Sequence, residues 1–443
     1  MRHAGASTRH PSPGTGGVGE STRLTRHPAR RRLLEGTNVV NTDSRRATAL
    51  ALLAVAAGLG TAPSGAVDGA ATASEPSRDA LELRRDADDI EKRLATSGLL
   101  YGDAALDAYV QSIADSLRRP DDPEPIRLRV LKGPWPNAFV LPNGASYVST
   151  AMLDMLDNEA QLACVLGHEM SHLVDRHALQ EMRAQRTRQG WTTALAAIIG
   201  AAGAYYGGGQ VGSALANLTA TAGQLWTLTA VSGYSRDHER AADRQGFERF
   251  VAAGYDSAQA PLVFELLMTR SPDVGEGTRP YFATHPKLEE RVASFRELAA
   301  DPSSAQGGRV EAERYFAALG ELPLEQALLL IEGGDPADAQ LSVNRYLARS
   351  PGSARAHFVA GEAWSALAAA PGNVERAIES YARAAALPGT PPEALRNKGL
   401  LHRERGEDPL AREAFERYLA LDPQAVDAGL IRLYLLELGT GTP

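Results

Sequence analysis

Periodicity of apolar positions divides the chain into elements before any chemistry is considered. Over residues 79–119 apolar side chains recur at helical spacing and predict two amphipathic helices, marked by Leu81, Leu83, Ile90 and Leu94, then by Leu106, Tyr109, Val110, Ile113 and Leu117. The run 126–131 alternates apolar and polar positions as a half-buried strand does. Two short β-rich runs, 137–141 and 145–149, flank Pro142-Asn143-Gly144 and predict a hairpin. The apolar, proline-free run 162–174 reads as a helix, opened by Asp157-Asn158-Glu159, whose acidic side chains suit a helix N-terminus.

Further on the pattern changes twice. From Gln189 to Ser235 the chain carries no charged residue over 47 positions. This stretch reads as a helical hairpin buried under a catalytic site, or as a lid or surface that touches membrane or unfolded protein. Its glycines interrupt it before a span of about 18 apolar residues is reached, so it is not read as transmembrane. Residues 301–310 have the composition of a linker. Beyond it Gly334, Gly372 and Gly406, spaced by 38 and 34 residues, open three similar blocks. Five positions after each glycine stands an alanine (Ala339, Ala377, Ala411), and four later a bulky residue (Val343, Tyr381, Phe415). Pro351 and Pro423 close the first and third blocks. These blocks resemble tetratricopeptide repeats, whose small residues let paired helices pack closely into a solenoid.

Composition narrows the function classes. A chain of 443 residues suggests two or three domains, and a net charge of −8 gives no electrostatic reason to expect nucleic acid as a partner. The single cysteine, Cys164, excludes an internal disulfide and a cysteine-based zinc cluster, and reads as a small buried apolar side chain. Residues 1–45 show no apolar period and read as disordered, or as an extension upstream of a misplaced start codon. Arg45-Arg46, the apolar core 47–60 and Ser64-Gly65-Ala66 fit a Sec-type signal peptide over 46–66, with an uncleaved anchor as the alternative. No cysteine follows that core, so a lipoprotein is excluded and a periplasmic location is expected.

The candidate chemistry lies on the 162–174 helix, in His168-Glu169-Met170-Ser171-His172. Residues four apart share a helix face, so both imidazoles can bind one zinc ion, with Glu169 placed to take a proton from a water at the metal. Chance gives roughly 0.02 matches to this pattern in a chain of this histidine content. A third ligand of the HExxHxxGxxH type would need Gly and His where Asp175 and Ala178 stand. The alternative is a glutamate from a later helix, and Glu239 in Ser235-Arg236-Asp237-His238-Glu239-Arg240-Ala241-Ala242-Asp243 offers it, with Ser235 as N-cap and the two alanines allowing close approach. Asp243, on the same face, can orient a ligating histidine or donate a proton. His177 and His238 read as surface residues. The hairpin strand, with Asn137, Ala138 and Phe139, can bind substrate by strand addition.

Together with Thr284-His285-Pro286 and Arg291, these segments resemble the gluzincin family of CAAX prenyl, mitochondrial quality-control and HtpX-type proteases. With the signal peptide and the repeats, the chain resembles BepA-like periplasmic metalloproteases. The resemblance implies an α+β, mostly helical fold: a zincin-type domain with a small sheet over 75–300, the linker 301–310, and an α-solenoid over 313–438. It implies one zinc per chain, and an endopeptidase acting on unfolded or misassembled outer-membrane proteins. It also implies repeats with chaperone-like activity that engage the outer-membrane assembly machinery. In that family the histidine matching His285 approaches the metal, although by residue type it can also cap the next helix. Arg291 matches an arginine that holds a carboxylate near the site. A protease-fold holdase or assembly factor, proteolytically silent most of the time, is the alternative function.

Overall fold

The computed structural model describes residues 77–123, 125–184, 234–270, 288–301, 304 and 307–440. The expectations for 1–45, 46–66, nearly all of 189–235, and His285 therefore lie outside the described residues. No helix among the described residues is long and apolar enough to cross a membrane.

The chain opens with α1 (Arg78–Thr96), capped by the Ser77 side chain, and α2 (Ala104–Ser116), capped by Asp103, which accepts from the amides of Ala105 and Leu106. Both helices were expected from periodicity, though Leu81 stays 45% exposed and only the Leu83–Leu94 face is covered. Strands β1 (Arg127–Leu131), β2 (Ala138–Val140) and β3 (Ala145–Ser149) form one sheet in the order β1-β3-β2. The predicted hairpin pairs β2 with β3 antiparallel, Ala138 opposite Val148, around a turn in which Gly144 has φ 84°. β1 runs parallel to β3 on its other side, which leaves β2 at the edge. The central strand β3 is buried at every position, because Tyr147 and Ala145 pack with α1 residues while Val148 faces the main core.

The short helix α3 (Thr150–Met155) leads into α4 (Glu159–Val174), whose N-cap Asn158 accepts from the Gln161 amide at 2.9 Å. After α4 come α5 (His177–Ala184), α6 (Arg236–Ala252), α7 (Gln259–Arg270) and α8 (Leu288–Ala300). Ser235 caps α6, as its position suggested. Two buried charged groups tie this bundle together. Glu159 accepts from Tyr109 and Tyr255 hydroxyls at 2.7 and 2.9 Å and meets Arg314 at 3.3 Å. Arg249 grips Asp122 through two hydrogen bonds of 2.6 and 2.7 Å, with both side chains 2% exposed.

The expected linker is docked rather than free where it is described. The Arg309 amide bonds Gly254 and its guanidinium covers the Tyr255 ring at 4.2 Å, while Val310 accepts from Ala160. Helix α9 (Ala312–Leu319) continues into the protease-side core through Tyr315 and Leu319, and Tyr315 donates to the Leu153 carbonyl at 2.6 Å. The apolar cluster of the repeats begins at Leu324, and the residues just before it bury their apolar faces against α2 and α4.

The repeats are the antiparallel pairs α10 (Leu322–Gly333) with α11 (Pro336–Arg349), α12 (Ala354–Ala366) with α13 (Asn373–Ala386), and α14 (Pro392–Glu404) with α15 (Asp408–Leu421), followed by α16 (Ala428–Thr440). The three glycines that open the blocks stand in the turns inside each pair, all with positive φ. Ala339, Ala377 and Ala411 are fully buried, as are Val343, Tyr381 and Phe415 to within 1%. A Cβ at Gly361 or Gly399 would meet the Tyr381 or Phe415 ring at 2.4 or 2.6 Å, so the missing side chain is what lets the rings seat. The four residues by which the 38-residue spacing exceeds the 34-residue one fall in the longer turn between α12 and α13. The first pair docks on α3: Thr150 donates to Gln326 at 2.7 Å, Ser342 to Asp154, and Arg345 to the Leu156 carbonyl at 2.7 Å.

Candidate metal centre

α4 is buried along nearly its whole length, so its polar side chains exist there only because they meet partners. It is crossed by α6 at an unusually short distance. A Cβ at Gly167 would lie 2.9 Å from the Gly246 carbonyl oxygen, and one at Gly246 2.7 Å from the His168 amide nitrogen. Backbone therefore meets backbone at this crossing. The two alanines expected to permit the approach contribute less than these glycines: Ala242 is buried at the contact and Ala241 is partly exposed.

The crossing sets Glu239 against the two histidines. His168 Nε2 and His172 Nε2 are 3.0 Å apart, and the Glu239 carboxylate lies 3.6 Å from the first and 3.3 Å from the second. Zinc bonds of about 2.0–2.2 Å in a tetrahedral site put ligand atoms roughly 3.3–3.6 Å apart, so the three donors already outline one face of such a site. All three are at most 4% exposed, and among the described residues they form the one His/Cys/Asp/Glu group compact enough for a metal ion. The donor set, two imidazoles and one carboxylate, suits zinc.

The surrounding charges prepare these donors. Burial first, and then the positive charge of Arg291, push the His168 imidazole down to about 4, so it is neutral near pH 7 and can offer a lone pair. Asp243 lies 2.9 Å from His168 Nδ1 and Arg291 Nη2 3.0 Å from the same nitrogen. A carboxylate can only accept, so the Nδ1 proton points to Asp243, and Arg291 instead bonds Asp243 at 2.6 Å. Burial alone would raise the Asp243 carboxyl, but Arg291 and His168 outweigh it and hold it below the usual carboxylate range. Arg291 also reaches Glu239 at 3.3 Å and covers the Phe264 ring. Of the two roles left open for Asp243, this geometry fits the orienting one.

Glu169, 3% exposed, sits next to His168 on α4. Its charge, with those of Glu239 and Glu181, adds to burial in raising the hydroxyl of Tyr234, whose ring stacks on His172 at 3.8 Å. A cleft beside His172 is lined by Val140, Leu141, Leu173, Leu179 and Tyr234. Thus the far end of the hairpin strand borders the site, whereas Asn137 and Ala138 are buried and line no part of that cleft.

Two expectations change here. His177, expected at the surface, is 2% exposed, and its Nδ1 is 3.0 Å from His172 Nδ1. Burial, with His172 and His238 beside it, pushes its imidazole down to about 3. His238 is partly covered, stacking on His177 at 4.3 Å and meeting Glu181 at 2.8 Å. Spacing on a helix could not show this, because the chain leaves α4 between the two histidines. Cys164 is buried as expected, and burial pushes its thiol up.

An HExxH helix crossed by a glutamate-bearing helix defines a gluzincin-type metallopeptidase domain, here joined to paired helical repeats. Comparison with known families agrees: residues 102–299 match Peptidase family M48, and residues 324–391 and 367–426 match the tetratricopeptide repeat. The chain thus carries an M48 metalloprotease domain followed by tetratricopeptide repeats. It is similar to the beta-barrel assembly-enhancing protease of Escherichia coli K12, 27% identical over 224 residues, which cover 47% of this chain and 42% of that protein. The mitochondrial metalloendopeptidase OMA1 of Schizosaccharomyces pombe is 29% identical over 38% of this chain and 45% of its own. Metalloprotease YcaL of Escherichia coli K12 is 28% identical over 42% of this chain and 68% of its own. The chain spans less than half the length of the first two relatives.

Proposed function

We propose that this chain is an exported, zinc-dependent endopeptidase, holding one zinc through His168, His172 and Glu239. The observation that carries the reading is the convergence of those three donors at 3.0–3.6 Å beside Glu169. A zinc ion bound there supplies a Lewis acid that polarises the scissile carbonyl and acidifies water. Glu169 takes the proton of the attacking water and passes it to the leaving amine. Asp243 keeps the His168 proton on Nδ1, and Arg291 balances the Asp243 and Glu239 carboxylates. An extended substrate adds to the β2 edge, where backbone hydrogen bonds give affinity with little demand on sequence. Asn137, Ala138 and Phe139 lie on or beside that edge, and Val140 leads from it toward His172.

The substrate class we infer is unfolded or misassembled outer-membrane protein, supported by the name of the Escherichia coli relative and by the repeats, an architecture suited to binding protein partners such as the assembly machinery. Export rests on the signal-like pattern at 46–66. His285 is proposed to modulate the metal, and the uncharged stretch at 189–235 to touch substrate or membrane surface. One observation favours the second reading, a holdase that is proteolytically silent at rest: the donors and Glu169 are at most 4% exposed, so little of the site is open to a substrate. Incubating purified chain with an unfolded β-barrel protein tests both. Cleavage by the wild type, abolished in Glu169→Gln, supports the protease. Protection from aggregation without cleavage in either form supports the holdase.

A further inference from the structure

The two imidazoles of the site are backed by different chemistry. His168 presents Nδ1 to the Asp243 carboxylate at 2.9 Å. His172 presents Nδ1 to another imidazole, Nδ1 of His177, at 3.0 Å. A ligating histidine almost always gives its second N–H to an acceptor, which fixes its tautomer and ring plane. With His172 Nε2 turned toward His168 and Glu239, its proton belongs on Nδ1. His177 Nδ1 is then the bare acceptor, and the His177 proton lies on Nε2, on the side of the Asp175 carboxylate 3.7 Å away.

His177 reaches this position through a backbone conformation that side chains rarely adopt. Arg176, between α4 and α5, has φ 53°, and among the described residues only Glu311 shares that property without being glycine. This left-handed residue ends α4 and folds His177 back over its last turn. His238 then stacks on the His177 ring with 22° between planes, and is itself held by Glu181 at 2.8 Å and Gln180 at 3.0 Å. Because His238 directly precedes Glu239, the same clamp joins the helices that carry the second and third donors.

We propose that His177 is a positioning residue for the metal, a neutral imidazole acceptor that fixes the tautomer and ring plane of His172. The proposal rests on the zinc reading above. It predicts a residue whose loss is felt in metal binding even though it touches neither metal nor substrate.

The test uses the full chain stripped of metal, titrated with Zn²⁺ against a chromophoric chelator, and the electronic spectrum of the Co²⁺ form. His177→Phe keeps a ring to stack on His238 but no acceptor. His177→Asn keeps an acceptor close to the Nδ1 position, whereas His177→Gln puts its oxygen nearer Nε2. Zn²⁺ affinity should fall about 10–100-fold in the phenylalanine variant, with a shifted Co²⁺ spectrum, while the metal-free proteins melt together. The asparagine variant should recover most of the affinity. Wild-type affinity and spectrum in His177→Phe would overturn the proposal, as would equal loss in the asparagine and phenylalanine variants. If His177→Phe does not fold, retention in asparagine with loss in glutamine supports the proposal, and equal behaviour of the two overturns it. A wild type that binds no Zn²⁺ would instead sink the zinc reading itself.

Discussion

The protease region and the repeats bury different things. Glu159, Glu169, Glu239, Asp243, Arg249 and Arg291 are each at most 4% exposed. Among the described residues of the repeats, from Leu324 on, no Asp, Glu, Lys or Arg is buried; the core there is alanine, leucine, valine and a few aromatic rings. Ionised groups in a low-dielectric interior survive only when paired, so each one in the protease region demands a partner at a defined distance. The repeats bury no such charge; apart from a few hydrogen-bonded polar side chains such as Gln340 and Asn373, their core is set by shape. The small residues differ in the same way. Gly167 and Gly246 bring two backbones together so that donors converge, while Gly361 and Gly399 make room for a ring.

The largest expected effect tests the chemistry of the buried charges. Glu169→Gln should lower peptide hydrolysis about a thousandfold, since an amide cannot accept the water's proton, while zinc content and melting temperature stay near wild type. Retained turnover in a steady-state assay would remove Glu169 from the mechanism.

Next comes the contrast in acid. Burial alone would raise the Asp122 carboxyl, but hydrogen bonds and charge from Arg249 hold it below its ordinary value. Its contribution is therefore present above an unfolded value of about 3.9 and is lost as pH falls through the lower folded value. Asp122→Asn should cost about 3–5 kcal/mol near neutral pH, with the difference from wild type closing below about pH 4. Hydrogen exchange at low pH should show protection fading in α2, α4 and α6 before the repeats. Loss that begins in the repeats would contradict the contrast in buried charge.

A smaller effect separates the two uses of glycine. Gly246→Ala and Gly399→Ala should each destabilise by about 1–3 kcal/mol, because each adds a methyl where no space exists. Zinc titration tells them apart: Gly246→Ala should bind weakly, having pushed α6 off α4, and Gly399→Ala normally. Equal zinc affinity would mean the crossing does not set the donor geometry.

The smallest concerns the join between the regions. Thr150→Val removes a hydroxyl that donates to Gln326, both of them buried, and should cost about 1 kcal/mol in urea unfolding. No change would leave the docking of the first repeat to Ser342, Asp154 and Arg345.

Much of this was legible in the chain because it is local. Two histidines four apart share a helix face whatever surrounds the helix. Asn143-Gly144 makes the hairpin turn from its own backbone preferences, and Ser235 caps the helix that follows it. The glycine and alanine intervals of the repeats report contacts between helices only a turn apart in sequence. Glu239 was found by elimination, from the failure of Asp175 and Ala178 to complete a shorter motif.

Tertiary structure decided the rest. His177 looked like a surface residue because helical spacing does not carry past Arg176, where the chain turns back on itself. Gly246 gave no signal of its own, since its meaning depends on Gly167, far away in sequence. Docking of α9 and the first repeat against α3 and α4 likewise depends on which apolar faces remain uncovered once the sheet and bundle have formed. Sequence determined the side chains able to do the chemistry, because a few neighbouring residues fix a helix face or a turn. Only the packed fold determined which of them meet, because contacts between distant segments depend on how every element between them is arranged.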